Sequence, residues 1–437
     1  MAAALELLAA VLTVTLVDRP TPAPPPAAVA RARIAPDVVP DAAQAARDAR
    51  TAAVERLLKA RSAAVLQRNR AGLLATIDPG ATALRARQAA SFDALAQVPI
   101  GSWSYTLDPA IERPPDLLLD ARYGTGNWWA PNVTFGYTLA GFDDRATTIE
   151  QHLTFVRRGG SWLLAADDDF AGVGLPTPRL LWDDGPVAAV RSGGVLALGH
   201  PASLPLIRDV AAQVAAVTPA VTAVWGKQWS QRAVVLVPAT SAELSALLGN
   251  TMDLSQIAAV ATAELDGADY MPAGDRILVN PVNFVKLGPL GRRVVLTHEL
   301  THVASRAATG PDTPAWLAEG LADYVGYLRV DVPLAVSARE LRADVRGGRT
   351  PAQLPTDADF SSANLNLAQA YEGAWLAVRL LVAEHGQAAM LGFYRAVGAG
   401  RSGSKDDAVQ QAFASAFGTT TSAFTAAWRA DLQRRLG

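Results

Sequence analysis

Val294-Val295-Leu296-Thr297-His298-Glu299-Leu300-Thr301-His302 is the stretch from which the rest of the chain can be read. Leu296, Leu300, Val303 and Ala307 recur at three- and four-residue spacing, so a helix is expected from about Arg292 to Ala308. Gly310 and Pro311 stop it. His298 and His302 lie one turn apart on a different face, where both imidazoles can reach one metal ion. Glu299 stands next to the first histidine, where its carboxylate can reach water held by that ion. Two imidazoles on the ion, an open position for water and a carboxylate beside it to take the water's proton are the arrangement that zinc hydrolases need. The alternative is a surface helix whose histidines only hydrogen-bond.

The sequence that follows favours the metal. Thr313-Pro314-Ala315-Trp316-Leu317-Ala318-Glu319-Gly320-Leu321-Ala322-Asp323 opens a second helix, with Thr313 as expected N-cap and Pro314 at its first position. A helix, a short loop and a returning helix can carry Glu319 back to the histidine pair, giving two His and one Glu. Asp323, one turn further on the same face, could accept the other ring N–H of a ligand histidine and fix its tautomer. An exposed helix charge is the alternative reading for Asp323.

His298-Glu299-x-x-His302 followed by Trp316-Leu317-x-Glu319-Gly320-x-x-Asp323-Tyr324 resembles the gluzincin metallopeptidases, and most closely their bacterial peptidase MA-like branch. The resemblance covers roughly residues 180–437 and is specific around 292–327. It implies zinc bound by His298, His302 and Glu319, Glu299 as general base, and a peptide or protein substrate. It also implies a Tyr or His on a later helix that steadies the oxyanion. Tyr371, in Ala370-Tyr371-Glu372-Gly373-Ala374, looks like that tyrosine; His385 is the other candidate donor, Tyr324 reads as a wall of the site, and Tyr371 as plain helix core is the remaining option. The strand Arg276-Ile277-Leu278-Val279-Asn280 precedes the motif. In the resembled enzymes such a strand is the sheet edge on which an extended peptide docks; here edge and interior positions are both open. No Gly-x-Met-Glu-Asn amine-binding motif lies upstream, so an endopeptidase is expected rather than an aminopeptidase.

The 437 residues suit two domains behind an N-terminal segment. Half the residues are hydrophobic and 18% are charged, enough for a substantial core. A net charge of −2 gives no electrostatic case for nucleic acid. With no cysteine, disulfides and thiolate ligands are excluded.

Residues 1–17 are nearly all apolar, broken by Glu6, and short for a membrane span, and the Pro-rich run from Pro20 to Pro26 follows. Residues 1–40 therefore read as a signal segment cut near Ala28-Val29-Ala30, or as a membrane anchor with a stalk. Either makes the protein extracytoplasmic, secreted or tethered. A cytoplasmic chain with an Ala/Pro tail is the alternative.

Residues 41–171 form the first expected domain. Asp41 caps a helix over 41–71, and strands follow at Trp103–Leu107, Leu117–Tyr123, Val133–Leu139, Thr147–Arg157 and Ser161–Ala166. A helix packed on a curved antiparallel sheet is an α+β arrangement. Its element order resembles the cone-shaped nuclear-transport-factor-like and SnoaL-like domains. Its aromatics, Trp103, Tyr105 and Phe135 among them, read as core and rim of the sheet, with a pocket lining as alternative. His152 reads as structural, and Asp167-Asp168-Asp169 as a solvated acidic turn. Gly172–Pro186 is the expected boundary. The second domain, 180–437, is expected to hold a small sheet, the zinc helix and a helical C-terminal part. A non-catalytic, zinc-stabilised binding or scaffold protein of the cell envelope is the competing functional reading.

Overall fold

The computed structural model describes residues 42–114, 116–250, 253–266, 271–401 and 403–437. The signal or anchor segment expected over 1–40, and the Asp41 cap, lie outside the described residues. Helix and strand mix in an α+β architecture, and the described chain falls into two compact units that divide between Val187 and Ala188.

In the first unit, α1 (Ala42–Leu66), α2 (Arg70–Ala75) and α3 (Thr82–Ala94) precede β1 (Ile100–Glu112), α4 (Leu117–Tyr123), β2 (Trp128–Trp129), β3 (Pro131–Leu139), β4 (Thr147–Gln151), β5 (Thr154–Arg158) and β6 (Ser161–Ala166). These strands make two antiparallel three-stranded sheets, ordered β1-β3-β4 and β2-β5-β6. Val54 and Leu58 of α1 pack with Val133, Phe155 and Leu164 in one core.

Several sequence expectations are corrected here. Leu117–Tyr123 is a helix. The Asp116 carboxylate accepts from the Leu118 and Leu119 amides at 2.8 and 3.1 Å, an N-cap that the apolar run concealed. The single strand expected over Thr147–Arg157 is two, interrupted at His152 and Leu153. The acidic turn is anchored by ion pairs: Arg87 holds Asp167 at 2.5 Å, and Asp169, with its side chain 1% exposed, holds Arg122. The expected linker is packed, with Leu181 and Trp182 buried and Trp182 edge-on to Tyr137 at 5.2 Å.

The second unit opens with the hairpin β7 (Ala188–Ser192) and β8 (Val195–Gly199), then α5 (Leu204–Trp225), β9 (Ala233–Val237), α6 (Ser241–Leu247), β10 (Ala259–Asp266) and β11 (Met271–Val279). Its five-stranded sheet runs β10-β11-β9-β8-β7, parallel at β11/β9 and β9/β8 and antiparallel elsewhere. Strand β11, which contains Arg276–Val279, is therefore interior; β10 and β7 are the edge strands among the described residues. Every residue of β8 is buried, as its unbroken apolar run requires. Gly199 is needed there, since a Cβ would stand 2.6 Å from the Val237 carbonyl oxygen. Among the described residues one stretch, Pro201–Trp225, is apolar enough to cross a membrane by length and composition, with a mean hydropathy of 1.2. It lies mid-chain, and its Ile207, Val210, Val214, Val217 and Val221 belong to the core, the ordinary state of an amphipathic core helix.

Helices complete the unit: α7 (Pro281–Phe284), α8 (Pro289–Ser305), α9 (Ala315–Tyr327), α10 (Leu334–Ser337), α11 (Arg339–Arg346), α12 (Leu367–His385), α13 (Gln387–Gly398), α14 (Lys405–Phe417) and α15 (Thr421–Leu436). Two details of the motif helices differ from expectation. In α8, Ala307 of the expected stripe is exposed while Ala304 is buried, because the helix tightens into a 3-10 turn at Arg306–Ala308. In α9 the N-cap position is Pro314, not Thr313; Asp357, from the distant loop before α12, accepts from the Ala315 amide at 2.8 Å.

Candidate metal centre

Helix α8 is buried nearly all round, so its histidine face turns into protein rather than solvent. Helix α9 packs back against it and against α12. His298 Nε2, His302 Nε2 and one oxygen of Glu319, Oε2, converge there: the two nitrogens are 2.9 Å apart, and they lie 3.1 and 3.3 Å from the Glu319 oxygen. Metal–ligand bonds of about 2.0–2.1 Å at tetrahedral angles separate neighbouring donors by roughly 3.3 Å, so the triangle is close to the size a zinc-like ion requires. These three buried side chains could hold a metal ion.

Two imidazole nitrogens this close need something positive between them, a shared proton or a cation. Glu319 and His302 are held in the protonation states of ligands, whereas the carboxylates beside His298 hold it protonated. Burial alone would raise the Glu319 pKa, but the two imidazoles outweigh it and hold the carboxyl down to about 2, ionised as a ligand must be. Burial lowers His302, favouring the neutral ring that can offer a lone pair. For His298, burial is outweighed by Asp323 and Glu319, and the pKa rises. Asp323 Oδ1 sits 2.8 Å from His298 Nδ1. That contact keeps a proton on Nδ1 and leaves Nε2 facing His302 and Glu319, so Nε2 is the atom a metal would take in place of its proton.

Glu299 is fully buried, and neither of its carboxylate oxygens makes a hydrogen bond of normal geometry within the protein. Burial, reinforced by the Glu319 charge, pushes its pKa up to about 8 against the pull of His298, the Ala261 backbone and Arg306. A buried carboxyl with unfilled acceptor capacity beside a donor triangle is chemically poised to take a proton.

Tyr371, near the start of α12, is 4% exposed, and its ring centre lies 6.3 Å from that of His298. His385 is at the far end of the same helix, roughly 20 Å along its axis at 1.5 Å per residue. It stacks on Phe417 at 4.0 Å, which removes it as the alternative donor. Tyr324 donates its hydroxyl to Gln387 Oε1 at 3.3 Å.

Two buried groups near the site were not singled out from sequence. Arg306 donates to Asp275 at 2.9 Å and to the Ala261 carbonyl of edge strand β10 at 3.3 Å. Tyr394, fully buried, shares a 2.7 Å hydrogen bond with Thr309. Each depends on partners distant in sequence, and only the recurrence of Arg306 one turn after His302 could have drawn notice. No protein-family model matches the chain, and no curated protein matches it.

Proposed function

We propose that this protein is a zinc-dependent peptidase of the gluzincin type, acting as an endopeptidase. The observation that carries the reading is the unsatisfied Glu299 carboxyl beside the converging His298, His302 and Glu319 donors. A His₂Glu set of nitrogen and oxygen donors suits zinc. When bound, zinc lowers the pKa of adjacent water and polarises a carbonyl oxygen. Asp323 fixes His298 in the tautomer that offers Nε2. Glu299 takes the proton from the attacking water and returns it to the leaving amine. Tyr371 donates to the oxygen on which negative charge develops. Strand β10, whose Ala261 lies against Arg306, offers an edge for an extended peptide backbone. Residues 1–40 would export or tether the chain, placing these substrates outside the cytoplasm of a bacterium.

The test pairs metal stoichiometry with an unbiased peptide-cleavage profile of wild type and Glu299→Gln. The expected outcome is one zinc per chain in both, with hydrolysis reduced about a hundredfold or more in the variant. Equal cleavage by both proteins would overturn the mechanism. Burial of all four side chains, each at most 3% exposed, favours a second reading in which the metal only staples α8 to α9 of a scaffold protein. One zinc per chain with no cleavage of any peptide would establish that reading instead.

A further inference from the structure

The first unit contains a cavity of about 400 Å³, within the size range of small-molecule sites. Trp103, Tyr105, Phe135 and Trp182 line it, and the rings interlock: Trp103 lies 4.6 Å from Phe135 and 6.0 Å from Trp182. Such walls take flat apolar bodies.

Arg61 also lines the cavity and is 3% exposed. Its Nη1 donates to Thr76 Oγ1 and its Nη2 to Gln88 Oε1, both at 2.8 Å, while Nε is buried without a partner. The other two lining guanidiniums have carboxylates: Arg87 pairs with Asp167 and Asp168, and Arg179 with Asp184. Among the described residues Arg61 has none. A buried cation held only by neutral oxygens is costly, and its planar fork still has N–H groups to give. The remaining acidic group in the wall, Asp183, is occupied within the protein: it accepts from Ser91 Oγ at 2.8 Å and from the Leu180 amide at 2.9 Å.

We propose that this cavity binds a small aromatic carboxylic acid, its carboxylate on Arg61 and its ring system between Trp103, Tyr105, Phe135 and Trp182. A carboxylate matches one guanidinium edge in a bidentate pair, whereas a phosphate dianion would call for further cations that the wall has already paired. The site lies in a different unit from the metal centre and does not depend on the peptidase reading.

The test uses the full chain with two fluorescent probes of nearly equal shape, 9-anthracenecarboxylate and the neutral 9-anthracenemethanol. Expected is one-to-one binding with the carboxylate clearly preferred. Arg61→Met weakens the carboxylate about tenfold or more and leaves the alcohol unchanged. Ala171→Trp, at an exposed position on the lining, blocks both probes and keeps the test decisive should Arg61→Met fail to fold. Equal affinity for the two probes, unchanged carboxylate binding in Arg61→Met, or no binding of either probe at millimolar concentration would each overturn the proposal.

Discussion

Gly320→Ala should loosen the proposed zinc site without touching any of its donors. Gly320 follows Glu319 on α9, where that helix crosses α12. A Cβ there would stand 2.5 Å from the Ala374 carbonyl oxygen and 2.8 Å from both the Ala374 carbonyl carbon and Val378 Cγ2. The first two are helix backbone and cannot rotate aside. Restoring ordinary contact requires α9 and α12 to part by on the order of 1 Å, while zinc–ligand distances tolerate only about 0.2 Å. The movement displaces the Glu319 carboxylate from the histidine pair. Overpacking of this kind costs about 1–3 kcal/mol, and a misplaced ligand costs about ten- to a hundredfold in metal affinity. Zinc affinity is measured by competition with a chromophoric chelator, and melting temperature with and without saturating zinc. The gap between zinc-loaded and zinc-free melting temperatures should shrink in the variant. Gly392→Ala is the control: it lies on α13 with nothing within 4 Å of its added Cβ, and it should stabilise by up to about 1 kcal/mol. If Gly320→Ala binds zinc as tightly as wild type and melts at the same temperature, the close α9–α12 crossing does not position Glu319.

Asp323→Asn preserves the shape and the hydrogen bond to His298 Nδ1 but removes the charge; zinc affinity should fall about tenfold or more, read by the same competition titration. Glu372 accepts from the Leu341 amide at 2.6 Å, and burial together with its hydrogen bond to Glu340 pushes its pKa up to about 9. The folded protein therefore holds a proton there that the unfolded chain has released above about pH 4.5, so this group makes stability fall as pH rises from roughly 4.5 to 9. Glu372→Gln keeps the amide contact and should flatten that part of the stability-against-pH curve in denaturant titrations; an unchanged slope would refute the assignment.

The His298-x-x-x-His302 pair was legible because helical spacing alone puts two side chains one turn apart. Glu319 was legible as a candidate because the intervening loop is short and Gly310-Pro311 marks where it begins. The α9 cap was misread for the opposite reason. Thr313 has the right chemistry locally, but Asp357 reaches Ala315 from a loop that only the fold brings near. Leu117–Tyr123 misled because an apolar run of seven residues fits a strand or a short helix, and the deciding group was the preceding Asp116 carboxylate.

By itself the sequence determined the local facts: helix periods, the α+β class and a metal-ligand pattern on one helical face. These depend on neighbours within a turn or two, so adjacent residues encode them. Tertiary structure decided what depends on chain segments meeting. It placed β11 inside the sheet and β10 at its edge, set Asp323 behind His298, and buried Glu299 with, among the described residues, no hydrogen bond of normal geometry. It also enclosed Arg61 with, among the described residues, no carboxylate to answer it. Charge and hydrogen-bond capacity are written in each residue, but whether they are satisfied depends on which distant groups the folded core brings within about 3 Å.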